Sequence, residues 1–189
     1  PKKLDQVYYF LGYNYAQYGD VKKSAKYYQI LVRDYPNSQY AFDGYRTMGE
    51  DAFAKGDYSE AQRQFELALK RAKDPSQQAR IYHKLAWCYY RQKRTNDAID
   101  SMKKGIALAQ GDQEKFLSIR EEGLRDLAIY YAESGRVDEA IDYFKRNAGG
   151  GEKGEEKLIK VLEKLGKEYE RTGQTDKAKQ VYDVLLKFH

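Results

Sequence analysis

The side chains best able to do chemistry are few and scattered. His83 and His189 are the only histidines. Their separation rules out a helical zinc pair, and the carboxylates near them show no ligand spacing, so no metal is expected. Cys88 is the single cysteine, which excludes an internal disulfide. It stands where an apolar helical face needs a small residue, whereas a reactive thiol needs exposure and nearby positive charge. Gly149-x-Gly151-x-x-Gly154 matches the dinucleotide fingerprint in form. It follows a helical pattern rather than a strand, with no βαβ unit around it, and reads as a flexible loop. There is no phosphate-binding Gly-Lys-Ser/Thr, and no Ser or Cys with a base at a recognisable spacing. The expectation is a protein that is not an enzyme and carries no cofactor.

The remaining chemistry is that of recognition. Arg80, His83, Lys84, Trp87, Tyr90 and Arg91 fall on one stripe of a helix, opposite the packing set Tyr82, Leu85, Ala86 and Tyr89. Trp, Tyr and Arg together, off the core face, have the composition of an interface hot spot. Trp87 is the only tryptophan. The alternative is that Trp87 packs, half buried, against a neighbouring helix.

The elements that position this stripe repeat five times. The first copy reads Tyr8-x-x-Leu11-Gly12-x-x-Tyr15, Gly19, Ser24-x-x-x-Tyr28 and Pro36; the fifth reads Leu162-x-x-Leu165-Gly166-x-x-Tyr169, Gly173 and Ala178-x-x-x-Tyr182. Gly12, Gly49, Ala86, Ala128 and Gly166 are equivalent, at intervals of 37, 37, 42 and 38 residues. A small residue at mid-helix lets the paired helix approach. Ser24, Ala61, Ala98, Ala140 and Ala178 fill the matching slot, and aromatic rings take up the volume around them. The turn between paired helices needs a left-handed residue, supplied by Gly19, Gly56, Gly135 and Gly173, with Lys93 as the exception. Asp20, Asp57, Thr95 and Thr175 are the expected caps of the second helices.

This pattern is identified as the tetratricopeptide repeat, whose period is about 34 residues. The fold it implies is all-α, a right-handed α-solenoid of about five helical hairpins. Ten helices are expected near 5–18, 21–34, 38–54, 57–72, 77–92, 95–109, 113–133, 136–147, 153–171 and 174–188. Residues 1–189 read as one domain, with repeats near 5–38, 42–75, 79–112, 121–154 and 159–189. No apolar run is long enough to span a membrane, and no signal peptide is visible. The start at Pro1, at the edge of the first helix, reads as a piece excised from a longer chain.

The formal net charge is +5, and residues 76–110 alone carry 7 basic and 2 acidic side chains. That local excess points to a partner with an acidic surface. Nucleic acid is disfavoured, because it calls for a broader basic stripe. RNA binding through the basic third repeat stays as the weaker alternative. Pairs such as Glu156/Lys160 and Glu163/Lys167 read as solvated helix pairs.

In tetratricopeptide arrays the first helices line a concave face. The resemblance therefore adds Tyr9 and Tyr13, then Arg46 and Glu50, then Arg125, to the stripe of the third repeat, with Lys160, Lys164, Lys167 and Arg171 in the fifth. A protein or peptide segment carrying acidic and apolar residues would suit such a groove. Chaperone-binding members hold a C-terminal carboxylate with a defined set of Lys and Asn. Here Tyr9, Tyr13 and Thr47 stand in that set and only Arg80 and Lys84 fit, so this function is not expected.

Asp34-Tyr35-Pro36-Asn37-Ser38-x-Tyr40, with Met48-Gly49-Glu50 and Lys55-Gly56-Asp57-Tyr58, resembles the repeats of Gram-negative periplasmic tetratricopeptide proteins of the Tol–Pal and β-barrel-assembly type. The run Gly123-Leu124-Arg125-Asp126-Leu127-Ala128-Ile129-Tyr130-Tyr131-Ala132 is similar to envelope repeat proteins of gliding deltaproteobacteria. That resemblance implies a scaffold in an envelope or motility assembly and a periplasmic location, with the cytoplasm as the alternative. A rival to partner binding is self-assembly into a homo-oligomer. It would run through Tyr8 and Phe10 of the first helix and Val181, Val184, Leu185 and Phe188 of the last, read as uncovered apolar ends.

Overall fold

The structure is a computed structural model that describes residues 3–111 and 113–188. His189, one of the two histidines, lies outside the described residues. Ten α-helices follow one another among the described residues. They are α1 (Leu4–Gln17), α2 (Val21–Asp34), α3 (Ala41–Ala54), α4 (Tyr58–Leu69), α5 (Pro75–Arg91), α6 (Thr95–Leu108), α7 (Glu114–Ser134), α8 (Val137–Asn147), α9 (Gly151–Arg171) and α10 (Thr175–Leu185). A 3-10 turn, Leu186–Phe188, continues α10.

The chain divides into two compact units, Pro1–Lys93 and Arg94–His189. In the first unit each helix packs on the next, from α1 through α5. In the second, α6 packs on α7, α7 on α9 and α9 on α10, while α8 touches α7, α9 and α10.

The expected pairing of a small residue with a ring sets the hairpins. Gly12 lies under the ring of Tyr28, Gly49 under Phe65 and Gly166 under Tyr182. Ala86 and Ala128, at the same position, are fully buried. The core of the first unit gathers Phe42, Tyr45, Phe65, Ile81, Leu85 and Cys88. Burying a side chain such as Phe65 contributes about 1.5–3 kcal/mol over leaving it exposed.

The turns follow one plan. Gly19, Gly56, Lys93, Gly135 and Gly173 all have φ between 63° and 81°. The residue after each is the N-cap of the next helix. Asp20 and Asp57 accept from the amides of Lys23 and Glu60 at 3.1 and 3.0 Å. Thr95 and Thr175, expected to cap in the same way, are instead the first helical residues; Arg94 and Gln174 hold the cap positions without a side-chain cap bond. The cap position is fixed by the left-handed residue before it, and a threonine one place further on is already inside the helix.

Several expected boundaries move, among them the ends of α4 at Leu69 and of α10 at Leu185. The third helix begins at Ala41 rather than near residue 38. Ser38 Oγ accepts from the Tyr40 amide at 3.2 Å and donates to Asp5 at 2.6 Å, which holds the chain in a turn. The glycine-rich segment expected to be a flexible loop is mostly helix. Gly151–Gly154 belong to α9, and Gly154 is buried in its first turn, where a Cβ would run into the carbonyl of Gly149.

Candidate partner-binding site

The helices α1, α3 and α5 carry ten of the side chains expected to bind a partner, and all ten lie in the first unit. Tyr9 stacks on Tyr40, the residue before α3, with ring centroids 4.6 Å apart, and on Tyr13 at 6.4 Å. Tyr13 is exposed. On α3, Arg46 donates to Glu50 at 3.0 Å and to Asp43 at 3.3 Å. The other oxygen of Glu50 receives Lys84 of α5, also at 3.0 Å. Glu50 thereby ties α3 to α5.

Along α5, Arg80 is exposed, while His83, Lys84, Trp87 and Tyr90 are half buried. Trp87 meets Tyr90 edge to face at 5.6 Å, a favoured geometry for an aromatic pair. Arg91 donates to the Tyr58 hydroxyl from Nε at 3.0 Å and from Nη2 at 2.6 Å, with its guanidinium 5.0 Å from the same ring's centroid.

Electrostatics follow from this packing. Arg46 and Lys84 pair with Asp43 and Glu50, and with Arg80 and Arg91 the four cations outnumber these two carboxylates, so the side chains named here sum to positive charge. Burial works against the charge of Arg46, yet Glu50 and Asp43 outweigh it and raise its pKa. Burial first, and then the negative charge of Asp43, raise the Tyr9 hydroxyl. Both groups are thus fixed, Arg46 as a cation and Tyr9 as a neutral hydroxyl. The arrangement can offer hydrogen-bond donors and aromatic faces to an acidic, partly apolar segment.

Arg125, also expected to bind a partner, is exposed on α7 in the second unit. In that unit the basic residues of α9 are partly neutralised. Lys164 and Arg171 hold Glu168 at 2.6 and 2.7 Å, and Lys157 holds Glu121 of α7 at 2.9 Å. Among the described residues, no group of three or more His, Cys, Asp or Glu side chains could hold a metal ion. None of the described helices is long and apolar enough to cross a membrane.

The apolar ends need a correction. Val181 and Leu185 are buried, because together with Ala178 they form the face of α10 that packs on α9. Val184 and Phe188 are half buried, and the exposed apolar residue there is Leu186. Tyr8 is half buried between Tyr27 and Tyr35, whereas Phe10 is exposed. Sequence reasoning also missed Tyr40, Asp43 and Tyr58. Asp43 sits three residues before Arg46 and Glu50 four after, a helical charge spacing that could have disclosed the ion pairs.

Models of the tetratricopeptide repeat match residues 6–38, 40–111 and 159–187. The chain is built of tetratricopeptide repeats, the fold of a protein–protein interaction scaffold. A search of curated protein sequences gave no match. Among solved structures, the protein MamA is similar over 97% of this chain and 90% of its own, at 19% identity and a TM-score of 0.67. YrrB, described as a tetratricopeptide protein with an unusual peptide-binding site, aligns over 93% of this chain and 81% of its own, at 17% identity and a TM-score of 0.63. PilF of Pseudomonas aeruginosa aligns over 97% and 75%, at 16% identity and a TM-score of 0.58. At these identities the likeness is one of fold.

Proposed function

We propose that residues 1–189 act as one interaction domain, a non-catalytic scaffold that binds a protein segment along α1, α3 and α5 of the first unit. The observation that carries this reading is the pairing of Trp87 with Tyr90 beside the Glu50–Lys84 bridge. It sets an aromatic anchor next to cations on helices that the bridge keeps in register. The partner is a peptide or protein segment with acidic and apolar residues; carboxylates would meet Arg80, Lys84 and Arg91, and an apolar side chain would meet Trp87. The peptide-binding site described for YrrB, on the same fold, supports this choice of ligand class.

The resemblance of Asp34–Tyr40 and Gly123–Ala132 to envelope repeats supports a place in a bacterial envelope or motility assembly, in the periplasm. The test is binding to an immobilised array of short peptides that vary in charge and apolar content. Acidic-apolar peptides are expected to bind, and Trp87→Ala and Lys84→Glu to weaken binding at least tenfold. Equal binding to basic and acidic peptides, or indifference to both substitutions, would reject the reading.

A further inference from the structure

A recess lies in the first unit among side chains that take no part in the Trp87 stripe. Helix α3 packs on both α2 and α4, and residues of all three line a cleft of about 780 Å³. Ligand clefts span about 300–1,000 Å³. The floor is apolar. Val32 and Tyr45 are buried there, and Ile30, Met48 and Leu67 are half buried.

Gln64 gives the α4 wall a fixed polar group. It is only 3% exposed. Its amide nitrogen donates to Glu60 at 2.6 Å, and Arg63 holds the same carboxylate at 2.7 and 2.8 Å. Exchanging the two ends of the amide would set oxygen against the Glu60 carboxylate, so the amide is locked. Its oxygen is buried and accepts no hydrogen bond, which calls for an N–H or O–H donor. On the α2 wall, Arg33 is taken by Asp34, whereas Lys26 makes no ion pair among the described residues. Lys26, Arg33 and Arg63 thus outnumber Asp34 and Glu60 by one cation.

We propose that this cleft binds an extended peptide segment of a partner, in which an acidic residue stands beside an apolar one. The apolar side chain fills the floor. The backbone N–H of that residue donates to Gln64, and the neighbouring carboxylate meets Lys26 on the α2 wall. The segment is extended because a helix has already committed its backbone N–H groups to its own carbonyls. An aliphatic carboxylate would satisfy the floor and Lys26 but brings no donor for Gln64.

The test is an NMR titration of the isotope-labelled chain with a capped tetrapeptide that has leucine and glutamate at its centre. It is read at the Gln64 side-chain amide and at the methyl group of Met48, one of two methionines. Saturable shifts of both signals are expected. Methylating the leucine nitrogen, or placing lysine for glutamate, should weaken binding at least fivefold. Lys26→Glu, at an exposed position, should do the same. Gln64→Met should respond equally to the plain and the N-methylated peptide. Trp87→Ala should bind like the unaltered chain, which separates this cleft from the first site. No saturable shift at Gln64 and Met48, or indifference to N-methylation and to Lys26→Glu, would overturn the proposal. So would tighter binding of decanoate at these signals, which assigns the cleft to a lipid. The same shifts on concentrating the chain without peptide would also overturn it and assign the cleft to a second copy.

Discussion

Gly49 and Phe65 face each other across the α3–α4 hairpin so closely that a methyl group on Gly49 would lie 2.6 Å from Phe65 Cε1. The ring is almost fully buried and has no free volume to move into. Gly49→Ala should therefore lower stability by about 1–3 kcal/mol, despite alanine's advantage of about 1 kcal/mol inside a helix. Gly12→Ala should be milder, since its nearest ring atoms, on Tyr28, are 3.0 Å away. Urea unfolding of the two variants checks the order; a Gly49→Ala midpoint equal to or above that of the unaltered chain would refute it.

Lys93 occupies a left-handed turn at φ 63° where the other four hairpins use glycine. A side chain there costs about 1 kcal/mol, so Lys93→Gly should raise stability by up to that amount. Thermal unfolding would read this as a higher midpoint, and a lowered one would contradict it.

Much of the fold is legible because close approach leaves marks in the residue types. Gly12, Gly49 and Gly166 announce the rings of Tyr28, Phe65 and Tyr182 that cover them. The left-handed turns, Lys93 included, lie where their spacing puts them. The caps of α6 and α10 are harder to place, because Thr95 and Thr175 look like caps while turn geometry assigns that role to Arg94 and Gln174. The binding face is legible as a stripe on α5 but not as a network. Tyr58 reaches Arg91 from 33 residues away, a pairing that local periodicity does not encode. Val181 and Leu185 look uncovered in the sequence because it shows their apolar character and not the side of α10 that faces α9.

Glu168 is buried and held by Lys164 and Arg171. Burial alone would raise its pKa, but the two cations prevail and hold it below the ordinary glutamate value of 4.5. The folded carboxyl thus binds its proton less tightly than the unfolded one. Its contribution to stability is complete above 4.5 and is lost as pH falls through the lowered folded value. Glu168→Gln should be less stable at neutral pH and lose less on acidification. Unfolding curves collected down the pH scale would show the two proteins converging; parallel curves would contradict the assignment.

Cys88 is fully buried in the first unit, and burial pushes its thiol up to about 12. A thiol-specific reagent at about pH 8 should label the native protein slowly and the unfolded protein at once, since only the thiolate reacts. Rapid labelling of the folded chain would show that the α5 core opens readily.

The most direct test of the partner-binding account uses Trp87 as its own reporter, because it is the only tryptophan in the chain. Its emission should be recorded while an acidic-apolar peptide is titrated in, with a basic peptide of the same length as control. The account predicts a saturable blue shift with the acidic peptide alone, as the half-exposed indole is covered. Saturable binding measured by another signal with no change in Trp87 emission would place the partner elsewhere and contradict it.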